Sequence, residues 1–424
     1  MAPSKKKRTH TVFRDSSAHR SASTSKPRFV GEKVKLGELL LNTFSGEWGT
    51  EEGELLTPVL RTSNFNEDGS LNYSTPAMRC IPEGKVAKKR MVRGDIILEK
   101  SGGTPKRPVG IMAFYDSDAL ALCSNFNQVL RFDESRILPR FAFHQLRWLK
   151  DRNAFDRYTR KTTGLQNLQM KKLIELKLRV PQIEAQTSIA TTLDEIVCDQ
   201  RTLQQEIACL DSLVKSRFVE MFGDPVVNPK GWDVSTIKKT AITYGDGPFG
   251  SNLKSADYVL SGVRVIRLGN IMRGEFSEKD QSYVSYEKFE SLRKYECIPG
   301  EVVIATLGDP ILRACIVPDF GVPSIHKADC MYYETNKEMV LPVFAMCAIN
   351  QPSMLQRALL DSHGQTRARI NSTQAGNLPM ILPPMDLQQE FADFAAQVDK
   401  SRFVRDHEIN FRWERFTLSW STIA

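Results

Sequence analysis

No stretch of the 424 residues approaches ~18 consecutive apolar side chains, so a helical membrane span is excluded. The basic opening residues are followed by no apolar block and do not read as a secretory signal. Eight cysteines (Cys80, Cys123, Cys198, Cys209, Cys297, Cys315, Cys330, Cys347) form no CxxC pair, the spacing that marks zinc sites. They read as buried thiols of a reducing compartment. The six histidines are dispersed, and HExxH, the P-loop and GxSxG are absent. Neither an acidic metal site nor the [DN]PP[YFW] tetrapeptide of base methylation is present. The run Leu382-Pro383-Pro384-Met385 only imitates the latter and opens a helix. Glu51 and Glu52 have no accompanying base and read as surface. What is missing is therefore the equipment of catalysis.

What is present is enough for real cores, with 41% hydrophobic and 25% charged residues, and a length of two or three ordinary domains. The charge is unevenly placed. Residues 1–30 carry +7, 31–181 carry +7, 182–225 carry −5, 226–383 carry +1 and 384–424 carry −2. Residues 1–28 are rich in Lys, Arg, Ser and Thr and read as a disordered basic tail.

Beyond that tail the chain repeats itself. Gly94-Asp95-Ile96-Ile97-Leu98 reads like Gly300-Glu301-Val302-Val303-Ile304. Arg61-Thr62-Ser63-Asn64 resembles Arg267-Leu268-Gly269-Asn270, and Arg107 falls on Arg313, all at an offset of 206. Pro181…Gln186 matches Pro383…Gln388 at an offset of 202. Each unit is a mixed domain, then a proline, then a helical tract: 29–181 with 182–225, and 226–383 with 384–424. Short β-branched runs (95–98, 109–113, 263–267, 301–305, 314–317) alternate with Gly, Pro and Asn turns, and helices are expected at 139–150 and 341–349. The fold class is α/β (α+β), with two duplicated α/β domains separated by long helices.

Counting 4,3,4,3 from Ile189 gives Leu193, Ile196, Gln200, Leu203, Ile207, Leu210, Val214, Arg217 and Met221. An apolar stripe held that long reads as a coiled-coil seam; a single amphipathic helix on a core is the alternative. The second tract begins Leu387, Phe391, Phe394, Val398, breaks phase, and resumes at Ile409, Trp413, Phe416, Trp420, as a stutter does. Prolines launch both helices, and Gly223-Asp224-Pro225 ends the first.

The run Leu210-Asp211-Ser212-Leu213-Val214-Lys215-Ser216-Arg217-Phe218-Val219-Glu220-Met221-Phe222-Gly223-Asp224-Pro225 resembles the central helical region of specificity subunits of Type I restriction–modification enzymes. Gly247-Pro248-Phe249-Gly250-Ser251-Asn252-Leu253-Lys254, then Asp257-Tyr258, is similar to the opening of a target recognition domain; in the first domain Ser45-Gly46-Glu47-Trp48-Gly49-Thr50 stands there instead. The resemblance implies two target recognition domains, each reading half of a split target in double-stranded DNA. It implies helices that pair as an antiparallel coiled coil. It further implies docking of two methylation subunits and of restriction/translocation subunits, in a prokaryotic cytoplasm. S-adenosylmethionine and ATP would sit on those partners only, with no cofactor and no metal on this chain.

Reading DNA takes Lys and Arg for phosphates, and Arg, Asn and Gln for base edges. The first domain offers Arg61, Asn64, Lys100, Ser101, Lys106, Arg107, Arg160, Lys161 and Gln166. The second offers Phe249, Ser251, Lys254, Arg267, Asn270, Thr306, Arg313, Gln365, Arg367 and Arg369, the Gln365/Arg367 loop foremost; Arg264 also belongs to this group. Residues 140–179 hold 11 bases and 3 acids, an excess that points to phosphate. Leu193, Ile196, Leu203, Ile207, Leu210, Val214, Phe391, Phe394 and Val398 are the candidates for helix pairing and partner docking. Two other classes compete with a DNA reader: a stand-alone nuclease or methyltransferase, and a coiled-coil interaction protein without DNA.

Overall fold

A computed structural model describes residues 31–105, 107–161, 164–362 and 368–423, without the side chains of 251, 406, 407 and 409–423. The basic tail, Lys106, Gln365 and Arg367 therefore lie outside the described residues, and Ser251 is described by its backbone alone. The chain divides into two compact units, 1–201 with 410–424, and 202–409. Each is taken by itself.

The first unit is built on a four-stranded antiparallel sheet in the order Leu40–Ser45, Asn127–Phe132, Ile96–Glu99, Met112–Phe114. The run Ile96-Ile97-Leu98 at its centre is apolar without alternation because both faces are covered. Ile96 and Leu98 point to the core under helix Pro139–Asp151, whose Phe141 and Leu146 are buried there. Ile97 and Val129 point the other way, to Tyr115 and Cys123. A three-stranded sheet, Ala77–Cys80, Leu56–Leu60 and Leu122–Cys123, carries a parallel pairing. Another, Thr159–Lys161, Gln166–Leu168 and Ser101–Gly103, closes beside the central sheet. Glu32–Lys35 and Lys177–Val180 pair at the ends of the domain.

The second unit repeats this plan. Its central sheet runs Ala241–Gly245, Cys330–Thr335, Val302–Ala305, Arg313–Ile316, again antiparallel and buried on both faces. Val263–Ile266 takes the parallel pairing with Ser324–His326, and Asp233–Thr236 pairs with Pro379–Leu382. The α+β duplication expected from the sequence is thus present in the central sheet, the parallel pairing and the pairing at the domain ends.

The small repeated motifs prove to be hydrogen-bond devices. Gln186 is fully buried; its Oε1 accepts from the Leu138 N–H, and its Nε2 donates to the carbonyls of Arg136 and Pro181. Gln388 does the same with Leu341, Met339 and Pro383. Each glutamine locks the start of a long helix to the start of the domain's own helix.

The central helix is Ile183–Phe222 and the terminal one Met385–Ile423. Every position of the expected stripe, from Ile189 to Met221, is buried or half-buried, and the flanking positions are mostly exposed. The stripe serves more than pairing, however. Leu193 is buried in the first domain's core, with Ile189 and Ile196 packed against it. Val214 and Met221 pack on the second domain's core together with Leu387 and Phe391. The single-helix-on-a-core reading is therefore right at both ends. Within the second unit the helices run antiparallel: Arg405 pairs with Glu206 at 2.8 Å, Arg402 with Asp211 at 3.7 Å and Arg217 with Glu390 at 2.8 Å. The expected stutter is filled by Arg402 and Arg405, which continue the half-buried row after Val398. Phe218 and Phe222, off the predicted stripe, are fully buried and pack edge-on or tilted against Phe344 and Phe391 at 4.8–5.6 Å.

Cys198 and Cys209 are exposed on the central helix, which corrects the expectation that all eight thiols are buried. Among the described residues no helix is long and apolar enough to cross a membrane.

Candidate nucleic-acid interface

Strand Ile96–Glu99 ends where the first domain's polar groups collect. Ser101, two residues on, belongs to the three-stranded sheet whose edge strand Thr159–Lys161 carries Arg160 and Lys161. It also lines a cleft of about 470 Å³ with Trp48, Arg61, Thr62, Glu99 and Arg107. Arg61, Arg160 and Lys161 are exposed and hold no ion pair among the described residues. These are cations whose charge is available to a polyanion. Lys100 is half-buried and donates to Ser45 Oγ and, at 3.3 Å, to Gln128 Oε1; burial lowers its pKa. Arg107 donates from Nη1 to Glu99 Oε1 at 3.1 Å. Burial raises the Glu99 carboxyl above its ordinary range, against the pull of Arg107.

The segment Ser45–Thr50, unlike the second domain's glycine loop in sequence, resembles it in packing. A side chain at Gly46 would collide with the Cys123 and Ser124 carbonyls at 2.2 Å, and one at Gly247 with Lys327 and His326 backbone at 2.4–2.5 Å. Both positions need glycine for close backbone approach. Glu47 holds Lys85 and Lys89, and Lys89's hydrogen bond is the main reason its carboxyl lies low. Trp48 is covered by Arg79, 4.0 Å from its ring centre.

Several candidate residues turn out to be structural. Asn64 and Asn270 are buried; Oδ1 accepts from the N–H of Arg61 or Arg267, and Nδ2 donates to two carbonyls, of Asn72 and Thr75 or of Ser277 and Asp280. Nothing on either side chain is left for a base. Thr306 is buried with its hydroxyl donating to the Asp329 carbonyl at 3.0 Å, and Gln166 is buried in its strand. Arg264 is 1% exposed, held between Tyr283 and Phe320 and donating to Glu278 and Asp280. The basic tract 140–179 is partly internal as well. Arg140 pairs with Asp194, as does buried His144 at 2.7 Å, and Arg147 donates to the Glu67 and Asp68 carbonyls.

In the second domain Leu307 bridges to Arg369, the counterpart of the pairing between strands 101–103 and 166–168. Phe249 and Lys254 are exposed, and Arg369 lies 5.8 Å above the Phe249 ring. Three of the candidate arginines are occupied, however. Arg267 pairs with Asp280 at 2.9 Å and Arg369 with Asp329 at 2.6 Å, while Arg313 donates to the Ile271 and Pro310 carbonyls. Among the described candidates, Arg61, Arg160 and Lys161 of the first domain and Lys254 of the second are exposed without an ion pair. Glu99, and Phe126 on the same cleft, are not singled out by the sequence alone. Only the contrast of Glu99 with Ala305, its counterpart at offset 206, marks it.

Residues 51–208 match the family model for the Type I restriction modification DNA specificity domain. The chain is 25% identical over 226 residues to the type I restriction enzyme MjaX specificity subunit of Methanocaldococcus jannaschii, a match covering 49% of this chain. It spans about half the length of that relative, 51%. The fold is similar to the S subunit of a Type-I restriction-modification system from M. genitalium. There the TM-score is 0.53 at 16% identity, over 93% of this chain and 95% of the other. It is also similar to a chain solved in work on complex assembly and conformational transition of the type I R-M system. That TM-score is 0.51 at 14% identity, over 93% and 97%. The resemblance carried by residues 210–225 is borne out.

Proposed function

We propose that this chain, similar in sequence and fold to type I restriction–modification specificity subunits, is the non-catalytic DNA-reading subunit of such an enzyme. Each domain reads one short block of a bipartite duplex target. Exposed Arg and Lys neutralise phosphates and set register; groups at the cleft and its second-domain counterpart reach base edges. The paired helices separate the two readers and dock two methylation subunits, which restriction and translocation subunits join. S-adenosylmethionine and ATP belong to those partners. The complex works in a prokaryotic cytoplasm.

The observation that carries this reading is the convergence of Arg61, Ser101 and Arg107 on one cleft, with Arg160 and Lys161 on the sheet that Ser101 shares. The positions of Arg61 and Arg107 recur in the second domain as Arg267 and Arg313. The test is duplex binding by the purified full chain from a randomised pool, followed by turnover assays with magnesium, ATP and S-adenosylmethionine. Selective binding without cleavage or methylation is expected. Robust turnover by the chain alone makes it an enzyme, and no duplex binding leaves a helical interaction protein.

A further inference from the structure

We propose that Glu99 and Arg107 together read one C·G base pair in the block recognised by the first domain, with Glu99 accepting from the cytosine amino group. The inference rests on the DNA-reading function above.

Glu99 closes strand Ile96–Glu99, with its side chain 3% exposed at the cleft of about 470 Å³. One carboxylate oxygen is used: Oε1 accepts from Arg107 Nη1 at 3.1 Å. The other, Oε2, is buried with no hydrogen-bond partner at ordinary distance among the described residues; the Thr62 hydroxyl, which donates to Asn127 Oδ1 at 3.4 Å, is the other donor that acts on this carboxylate. An unsatisfied buried carboxylate oxygen is costly, and such a group in a native fold calls for an explanation. The fold itself does not require it. In the duplicated domain the same strand position is Ala305, cross-strand neighbour of Arg313, and Arg313 is held by two backbone carbonyls instead. The carboxylate is therefore an addition peculiar to the first domain.

Its chemistry selects the occupant. A carboxylate repels phosphate, so the backbone of DNA does not belong at this floor. An acceptor beside a half-exposed guanidinium is instead complementary to the major-groove edge of a C·G pair. There cytosine N4 donates, and guanine O6 and N7 accept across the same pair. An A·T pair offers its arginine partner a poorer match, since bidentate arginine contacts go to guanine. Arg61, exposed on the same cleft, supplies the positive field that lets DNA approach a carboxylate.

The experiment uses the full-length chain and a randomised duplex pool. The wild type is expected to select a first block containing a C·G pair. Glu99→Gln should lower discrimination at that pair by roughly 10- to 100-fold and leave the second block untouched, which also shows that the variant is folded. Replacing the cytosine by pyrimidin-2-one, which lacks the amino group, should cost the wild type a similar factor and cost Glu99→Gln nothing further. Multiplying losses would show that the two groups do not meet and would overturn the proposal. So would unchanged preferences in Glu99→Gln. Loss of both blocks in Glu99→Gln and in Glu99→Ala, the residue its counterpart carries, would assign Glu99 to the fold alone. A wild type that binds duplexes without selecting any sequence would instead refute the DNA-reading function on which the inference rests.

Discussion

Asn270 separates a reading residue from a folding residue more sharply than any other position. Replacing it by alanine removes three hydrogen bonds, from the Arg267 N–H at 2.9 Å and to the Ser277 and Asp280 carbonyls at 2.8 and 2.7 Å. At ~1 kcal/mol net for each, the variant should lose about 3 kcal/mol. The side chain is fully buried, so the three backbone groups are poorly placed to find water instead. For a domain of this size that is a fall of roughly 6–12 °C in Tm. Scanning calorimetry of the full chain should show the second unit melting early and the first unit melting as before. Below that transition the folded variant should keep its sequence preference. Arg267→Ala is the companion: its guanidinium is half-exposed, pairs with Asp280 and Ser282 and lies 5.9 Å from the Tyr258 ring centre, so it should melt within ~1 kcal/mol of wild type. An Asn270→Ala protein with unchanged melting and relaxed specificity in the second block would refute the assignment and restore Asn270 as a base contact.

Four further outcomes follow from other parts of the molecule. Burial pushes the His326 imidazole down to about 4, so the unfolded chain takes up a proton that the folded one refuses; stability should be full above ~6.5 and fall by about 3 kcal/mol as pH drops towards 4. Urea melts at pH 7 and 4.5 should show that loss in the wild type and not in His326→Gln; the same loss in both would place its origin elsewhere. Arg160→Ala should weaken binding to all duplexes alike and lower the salt slope by about 0.9, whereas an effect confined to one base position would make it a reader. Phe391→Ala removes a buried ring packed on Phe218 and Phe222 and should cost ~3–5 kcal/mol. Leu210→Asp, in the half-buried seam, should instead spare the domains and disrupt helix pairing or partner docking; normal assembly and methylation would refute the seam.

The duplication was legible in the sequence because it is written in backbone-determining residues. Arg61…Asn64 and Arg267…Asn270 recur because the asparagine builds the turn, and Pro181…Gln186 and Pro383…Gln388 recur because the glutamine clasps the helix start. The same cause misled the choice of contact residues: a repeated polar residue looks like a shared function and proves to be shared folding. The heptad stripe was legible from its period, yet period alone does not say what covers a face, and Leu193 and Val214 went to domain cores. Phe218 and Phe222 were missed because they lie one position past the stripe, on the side that meets the second domain. Charge by segment showed where basic residues are in excess, but not that Arg140, Arg147 and Arg264 are consumed inside. Burial of an arginine depends on partners distant in sequence, such as Asp194 or Glu67, and no local pattern announces them.

The central claim is that two readers are held apart by helices of fixed length. The central helix has 40 residues, about 60 Å at ~1.5 Å per residue. Seven residues inserted after Leu203 and seven after Val398 keep the apolar phase and add ~10 Å, or about three base pairs at ~3.4 Å each. The measurement is the methylated motif of cells carrying the insertion variant with its partner subunits, compared with the wild type. Two short specific blocks, unchanged in sequence, with an unread gap lengthened by about three base pairs, are the predicted result. An active enzyme with an unchanged gap, or a single uninterrupted motif, would contradict it.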